Sequence, residues 1–171
     1  MLGRLFRFLL ILLAGVALLV VAGGVYARYQ LRASLPLTEG TLTVAGLGSA
    51  VSIERDSLGV VTIHAANEID AARALGYVHG QERFFEMDLL RRSAAGELSE
   101  MFGAIALAKD KSIRVHRLRT LVERNLQTVA GGKMPVLSAY TEGVNAGLAR
   151  LRSRPWPYLL LNAQPRAWLP V

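Results

Sequence analysis

Residues 76–103 read Gly76-Tyr-Val-His-Gly-Gln-Glu-Arg-Phe-Phe-Glu-Met-Asp-Leu-Leu-Arg-Arg-Ser-Ala-Ala-Gly-Glu-Leu-Ser-Glu-Met-Phe-Gly103, and the fold is decided here. Phe84, Phe85, Met87, Leu89 and Leu90 are interleaved with Glu82, Arg83, Glu86, Asp88, Arg91 and Arg92, so apolar and ionised side chains have to be sorted onto different faces. A helix does this: Val78, Phe85 and Leu89 fall on one face and Phe84, Met87 and Leu90 on the adjoining one. The arc is wider than a surface stripe, which predicts a mostly buried helix. Gly76 and Gly80, four apart, each cost a helix up to about 1 kcal/mol relative to Ala, and neither has a side chain to hold a neighbour away. Close packing of another element is expected there. Gly96 is the expected C-terminal stop, after Arg91 and Arg92 have set positive charge against the last carbonyls. Leu98, Met101 and Phe102 then predict a second short helix that Gly103 closes.

Towards the N-terminus, Asn67 is placed to cap the helix that leads into this block, with Glu68 and Asp70 complementing its dipole. Before it, Val51, Ile53 and Arg55 alternate with Ser52 and Glu54, and Val61 and Ile63 alternate with Thr62 and His64. Asp56-Ser-Leu-Gly59 joins these runs with Asp at the first turn position and Gly at the fourth, which predicts a β-hairpin. Thr41-Leu-Thr-Val44 alternates like a further short strand that Ala45-Gly-Leu-Gly48 breaks. Residues 30–40, with Pro36 and a closing Gly40, read as a spacer.

Residues 1–29 form a unit of their own. The run Phe8 to Ala27 carries no charge and is rich in Leu, Val and Ala; as a helix it is about 30 Å long, enough to cross the hydrocarbon core of a bilayer. A secretory signal has an apolar core of about 7–15 residues, so the expectation is an uncleaved membrane anchor with Phe8 and Ala27 at its ends. Ala22-Gly-Gly24 and Val25-Tyr-Ala27 keep cleavage open as the alternative. Arg4, Arg7 and the terminal amine narrowly outweigh Arg28 and Arg32, which leaves the bulk of the chain outside the cytoplasm, in the periplasm or beyond the cell; cleavage would export it.

Towards the C-terminus, Leu118, Leu121, Val122, Leu126 and Val129 recur at helical spacing before Gly131-Gly132, and Leu137, Tyr140, Val144, Leu148 and Leu151 do so after Pro135. Two amphipathic helices follow. From Ser153 onward Pro155, Pro157, Pro165, Pro170, Trp156 and Trp168 predict an irregular, extended tail whose Tyr158-Leu-Leu-Leu161 needs burial. Ending on Pro170-Val171 after such residues, the chain reads as interrupted.

Composition removes several chemistries. With 171 residues and no cysteine, there is one domain plus an appendage and no disulfide, thiolate metal site or cysteine nucleophile. Of the 20 basic residues only Lys109, Lys111 and Lys133 are lysine, and the net charge is +7. Arg150, Arg152, Arg154 and Arg166 lie in a tail without acids, read as a solvated or interface-facing stretch whose acidic partners lie elsewhere. Nucleic acid is not an expected partner. His64, His79 and His116 match no metal-binding spacing. Glu82, Glu86 and Asp88 are read as ion-paired with Arg83, Arg91 and Arg92, not as a catalytic pair. Ser93 and Ser99 lack a base at an activating spacing, and Gly46 and Gly48 precede a strand where a dinucleotide would need a helix. No active site is visible from the residues themselves.

The run Gly76 to Gly103 resembles the first helical block of the penicillin acylase (penicillin amidase) family. Val51-Ser-Ile-Glu-Arg-Asp-Ser-Leu-Gly-Val-Val-Thr-Ile-His-Ala65 is similar to its opening hairpin, and Lys109-Asp-Lys-Ser-Ile-Arg114, Leu137-Ser-Ala-Tyr-Thr-Glu-Gly-Val-Asn-Ala146 and Gln164-Pro-Arg-Ala-Trp-Leu-Pro170 follow in family order. Val61 stands where the family usually has Pro, and Gly80 and Glu82 where Ala and Asp are common. The motif residues carried over are Arg55, Asp56, Gly59, Gly76, Gln81, Arg83, Arg91, Arg92 and Gly96, and the role they imply is fold support.

The resemblance implies an α+β chain: a membrane-spanning helix, then a hairpin and several helices over residues 41–171 that form part of an incomplete four-layer αββα N-terminal-nucleophile hydrolase fold. It implies an amidohydrolase acting on linear amides such as β-lactams or acylated homoserine lactones. In such enzymes a precursor cleaves itself, and the exposed Ser, Thr or Cys is activated by its own α-amine. That residue would lie on a second chain, so this chain would hold no catalytic, cofactor-binding or metal residue, although by this resemblance the complete enzyme could carry calcium. The implied partners are the membrane, the remainder of the first chain, the second chain and a small-molecule amide. The alternative is a non-catalytic, membrane-anchored helical module that binds a partner or anionic lipid.

Overall fold

A computed structural model describes residues 2–170. Met1 and Val171, the outer ends of the expected anchor and acylase-like segments, lie outside the described residues. Helix α1 (Leu2–Ala33) is followed by strands β1 (Ser52–Arg55) and β2 (Val61–His64). Then come helices α2 (Glu68–Glu82), α3 (Phe84–Ala95), α4 (Ser99–Phe102), α5 (Leu107–Arg114), α6 (Leu118–Ala130), α7 (Met134–Arg150) and α8 (Trp156–Leu160). The described residues are thus mostly helical, with one small antiparallel sheet.

The hairpin is set by its turn. β1 and β2 pair with Arg55 opposite Val61 and Ser52 opposite His64. Asp56 Oδ1 accepts the N–H groups of Leu58 at 2.8 Å and Val60 at 2.9 Å, and Gly59 takes φ 81°, a conformation that a Cβ would strain. Ile53, Arg55, Val61 and Ile63 share the face turned to α2, where Arg55 pairs with Glu82. Ser52, Glu54, Thr62 and His64 form the exposed polar face.

α2 starts where Asn67 Oδ1 accepts the N–H of Asp70 at 2.9 Å. It then runs against α7 at a distance only glycine permits. A Cβ on Gly76 would lie 2.2 Å from the carbonyl oxygen of Tyr140, and one on Gly80 2.2 Å from that of Val144. The approach is reciprocal: Gly143 and Gly147 would each place a Cβ 2.1 Å from the carbonyl oxygens of Arg73 and Tyr77. Four glycines, two from each helix, therefore set the axis separation, and carbonyls meet Cα–H groups across it. Phe84, Val144 and Tyr158 form the buried centre, packed round by Phe85, Met87, Met101, Tyr140, Leu148, Ala163 and Trp168.

Several expectations are corrected. The helix expected to run on from Gly76 is broken at Arg83, which has φ −129° and ψ 15°; its N–H closes α2 on His79 and its carbonyl opens α3 to Met87. The break directs Phe84 into the core, while Leu90 is 72% exposed instead of buried. Thr41–Val44 forms no strand; it lies across a cleft from β1 without pairing with it. α1 runs on through Gln30–Ala33, so the spacer starts at Ser34. The tail is not wholly irregular: Pro155 and Pro157 sit at the start of α8, where a missing N–H costs nothing. α6 is amphipathic as expected, but Leu118, Leu121, Val122 and Val129 point outward. Gly96, in contrast, closes α3 in the left-handed conformation (φ 68°, ψ 48°) as anticipated.

Candidate functional site

The strongest constellation of polar side chains is buried beneath α3. Asp88 has no exposed surface. Its Oδ1 accepts from Arg91 Nε at 2.9 Å, and its Oδ2 from Arg92 Nε at 2.9 Å and from the Tyr158 hydroxyl at 2.5 Å. Burial pushes the Asp88 pKa up, but the Tyr158 and Arg92 hydrogen bonds and the Arg91 charge together hold it below the usual carboxylate value. Burial, with Asp88 beside it, pushes the Tyr158 phenol up. The site is thus an ionised carboxylate facing a neutral phenol.

From there the network spreads to the tail. Arg92 Nη1 donates to Glu100 at 2.6 Å, and Arg166 reaches the same carboxylate at 2.9 Å. Arg166 therefore finds its acid within this chain, contrary to the expectation of a partner elsewhere. Arg91 donates to the carbonyls of Ala167 and Arg166 and lies 4.9 Å from the Trp168 ring centroid. Asn145 holds the Trp168 backbone from both sides, accepting at 2.8 Å and donating at 3.0 Å. Asp88, the one fully buried acid of this cluster, is engaged on both oxygens by protein, and the network acts as a clamp on the tail.

The other motif residues are spread along the fold. Arg55 meets Glu82, Asp56 and Gly59 form the hairpin turn, Gly76 lies in the α2–α7 contact, and Gln81 donates to the Tyr77 hydroxyl at 3.1 Å. Arg83 is exposed at the helix break and forms no ion pair among the described residues; the pairing expected for Glu82 goes to Arg55 instead. Phe8 and Ala27 lie on α1.

Three features escaped the sequence reading. Asp70 ties the 45–49 loop to α2 by accepting the N–H groups of Gly48 at 2.8 Å and Ser49 at 3.1 Å. Asp110 on α5 does the same for α4, accepting from Leu98 at 3.0 Å and Ser99 at 2.7 Å. Arg73 meets Glu142 across α2 and α7 at 2.5 Å. Each partner is distant in sequence, so no local pattern marks it.

His79 Nδ1 lies 3.0 Å from the Tyr140 hydroxyl, His64 stands 3.7 Å from Glu54, and His116 is exposed. Burial, and after it the Arg83 charge, lowers the His79 pKa. The unfolded chain therefore takes up this proton first, and the stability His79 contributes is complete above about pH 6.5 and declines as pH falls through that value. His79→Gln is expected to flatten the pH dependence of stability as pH falls from neutrality through about 6.5 and below, read from urea unfolding at a series of pH values; an unchanged profile would contradict the half-buried, neutral imidazole.

A cleft of about 340 Å³ lies between residues 37–44, β1 and α2, lined by Leu42, Val44, Ile53, Arg55, Tyr77 and Gln81 among others. No group of three or more His, Asp or Glu side chains able to hold a cation occurs among the described residues.

A paired hairpin packed on a close-packed helix pair, with ionic clamps at its margins, is a structural scaffold. The family model described as penicillin amidase matches residues 50–171, and the chain belongs to that family. It is 40% identical over 143 residues to the penicillin acylase 2 proenzyme of Pseudomonas sp. (strain SE83), an alignment covering 84% of this chain and 18% of that protein. It is 37% identical over 138 residues to the acyl-homoserine lactone acylase QuiP of Pseudomonas aeruginosa, covering 80% of this chain and 16% of the relative. The chain therefore spans less than a fifth of the length of these relatives. Among solved structures, a thermostable penicillin G acylase from Alcaligenes faecalis superposes with a TM-score of 0.62 at 26% identity, covering 71% of this chain and 66% of that one.

Proposed function

We propose that this chain is the leading segment of an amidohydrolase that cleaves linear amides of acylated substrates such as β-lactams or acyl-homoserine lactones, and that the nucleophile is supplied by sequence this chain does not contain. The observation that carries this reading is the family match over residues 50–171 to acylases of much greater length, one of them named a proenzyme. In support, the histidines lie beside Tyr140, beside Glu54 or in solvent, and the Ser99 amide is engaged by Asp110. Neither arrangement activates a hydroxyl.

The role assigned to the chain is a hairpin at the edge of a layered core, with helices that wrap it. The apolar face of the hairpin rests on α2, and α7 backs α2. The remaining sheet and helix layers of a four-layer αββα fold would come from the rest of the first chain and from the second chain, with the exposed Ser52, Glu54, Thr62 and His64 face turned towards them. There a terminal Ser, Thr or Cys, activated by its own α-amine, attacks the amide carbonyl, forms an acyl-enzyme and releases the amine; water then completes hydrolysis. Backbone N–H donors stabilise the oxyanion in both steps.

Purified residues 1–171 are expected to hydrolyse neither a phenylacetyl amide nor an acyl-homoserine lactone, and a longer product carrying the second chain is expected to turn over at least one of them. Turnover by residues 1–171 alone would overturn the assignment of the nucleophile. For localisation, α1 is read as an uncleaved anchor with the folded body outside the cytoplasm. Its support is a helical span from Phe6 to Ala33 whose most apolar stretch of 18 residues has mean hydropathy 2.8 and no burial against the protein.

A further inference from the structure

Two arginine-bearing segments without acids, distant in sequence, meet at one end of the molecule. The first acidic residue of the chain is Glu39, and none follows Glu142. Ser153 donates its backbone N–H to the Ala33 carbonyl at 3.2 Å, and Ala33 and Ser34 are buried at this seam. The C-terminal ends of α1 and α7 are thereby fastened together. Arg28 and Arg32 on α1, and Arg150 and Arg152 at the end of α7, are exposed, and none of the four has a carboxylate partner among the described residues. Tyr29 is exposed beside them, and the exposed Trp156 lines a cleft with Ser34, Leu35 and Pro36.

The spacing along α1 determines what these groups face. The helix is continuous from the apolar run to the seam, so no flexible linker separates the two. From Ala27, where the apolar run ends, to Ala33 it advances about 9 Å, whereas the headgroup layer outside the hydrocarbon core is about 5–8 Å thick on each side. With Phe8 to Ala27 in the core, Arg28 and Arg32 stand among the headgroups and the body begins at their outer edge. We propose that this end of the body is a lipid-contact face, in which Arg28, Arg32, Arg150 and Arg152 bind the anionic headgroups of the bilayer that α1 enters, with Tyr29 and Trp156 at the interface. The inference rests on the reading of α1 as an uncleaved anchor.

The absence of cysteine allows single nitroxide labels to be placed in the full chain through Leu35→Cys, beside the seam, and Val129→Cys, at the end of α6 close before Met134, where α7 begins about 24 Å along its axis from Arg150. In proteoliposomes bearing a nickel-chelating headgroup lipid, relaxation at residue 35 is expected to exceed that at residue 129 several-fold. It is expected to rise when phosphatidylglycerol is added to phosphatidylcholine and to fall in high salt. Arg150→Gln with Arg152→Gln is expected to remove that dependence. Retention in alkaline carbonate is measured on the same samples. Release by carbonate would mean that the anchor itself fails, and the face with it. Retention with equal relaxation at the two positions, or with a residue-35 signal indifferent to phosphatidylglycerol, salt and the double substitution, would overturn the lipid-contact face alone.

Discussion

Asp88→Ala is expected to destabilise the folded body by about 3–5 kcal/mol, because it removes one member of a buried ion pair and leaves the others in place. The side chain of Arg92 is 4% exposed and would keep only Glu100, while the Tyr158 hydroxyl would lose its acceptor with no surface left to water. A domain's whole stability is about 5–15 kcal/mol, so the loss is a large share of it. It should be concentrated where Asp88 joins α3 to α8 and the tail, and the Trp168 environment should change first. Tyr158→Phe is expected to cost about 1.5–3 kcal/mol, the range for a hydrogen bond to a charged group. Urea unfolding in detergent, followed by tryptophan fluorescence, reads both. A loss below about 1 kcal/mol for Asp88→Ala would place this carboxylate with exposed ion pairs. Acid should act in the same direction: Asp88 has a depressed pKa in the folded state, so its contribution is complete above the unfolded value of about 3.9 and is lost as pH falls below it.

The second large effect concerns the glycine contact. Gly80→Ala and Gly143→Ala each add a methyl group at 2.2 and 2.1 Å from a carbonyl oxygen of the opposing helix, and a backbone cannot rotate out of the way as a side chain can. Each substitution also gains about 1 kcal/mol of helix propensity. Overpacking of about 1–3 kcal/mol or more opposes that gain, and the rigidity of both partners places these sites at the upper end, so each is expected to be net destabilising. The double variant should lose less than the sum, because a single displacement of α7 from α2 relieves both clashes. Thermal unfolding followed by circular dichroism measures all three; a raised melting temperature in either single variant would contradict the close contact.

What was legible in the sequence is what neighbouring residues decide. Asp56 and Gly59 make their turn from within it, Asn67 caps a helix it precedes, and Gly96 needs only its own conformational freedom to end α3. Gly76 and Gly80 announced a close neighbour without naming it. Their counterparts, Gly143 and Gly147, lie in a helix whose apolar spacing already accounted for the segment. The break at Arg83 carries no Gly or Pro, because it is imposed by the entry of Phe84 into the core with Val144 and Tyr158. α8 was hidden by the same prolines that begin it, since a proline reads as a breaker unless its place in the first turn is known. Asp70 and Asp110 depend on loops brought to them by the fold. The charge pairing around Asp88 was legible in kind, through Arg91 and Arg92, but the fourth member, Tyr158, comes from the far end of the chain.

That the amide chemistry is supplied by sequence beyond this chain is tested most directly by reading the native coding sequence past codon 171. The expected result is an open frame, continuous or immediately neighbouring, that reaches a Ser, Thr or Cys at a self-cleavage junction. A stop at that point, with no such frame nearby, would contradict the assignment and leave a scaffold that shares the ancestry of the acylases but not their reaction.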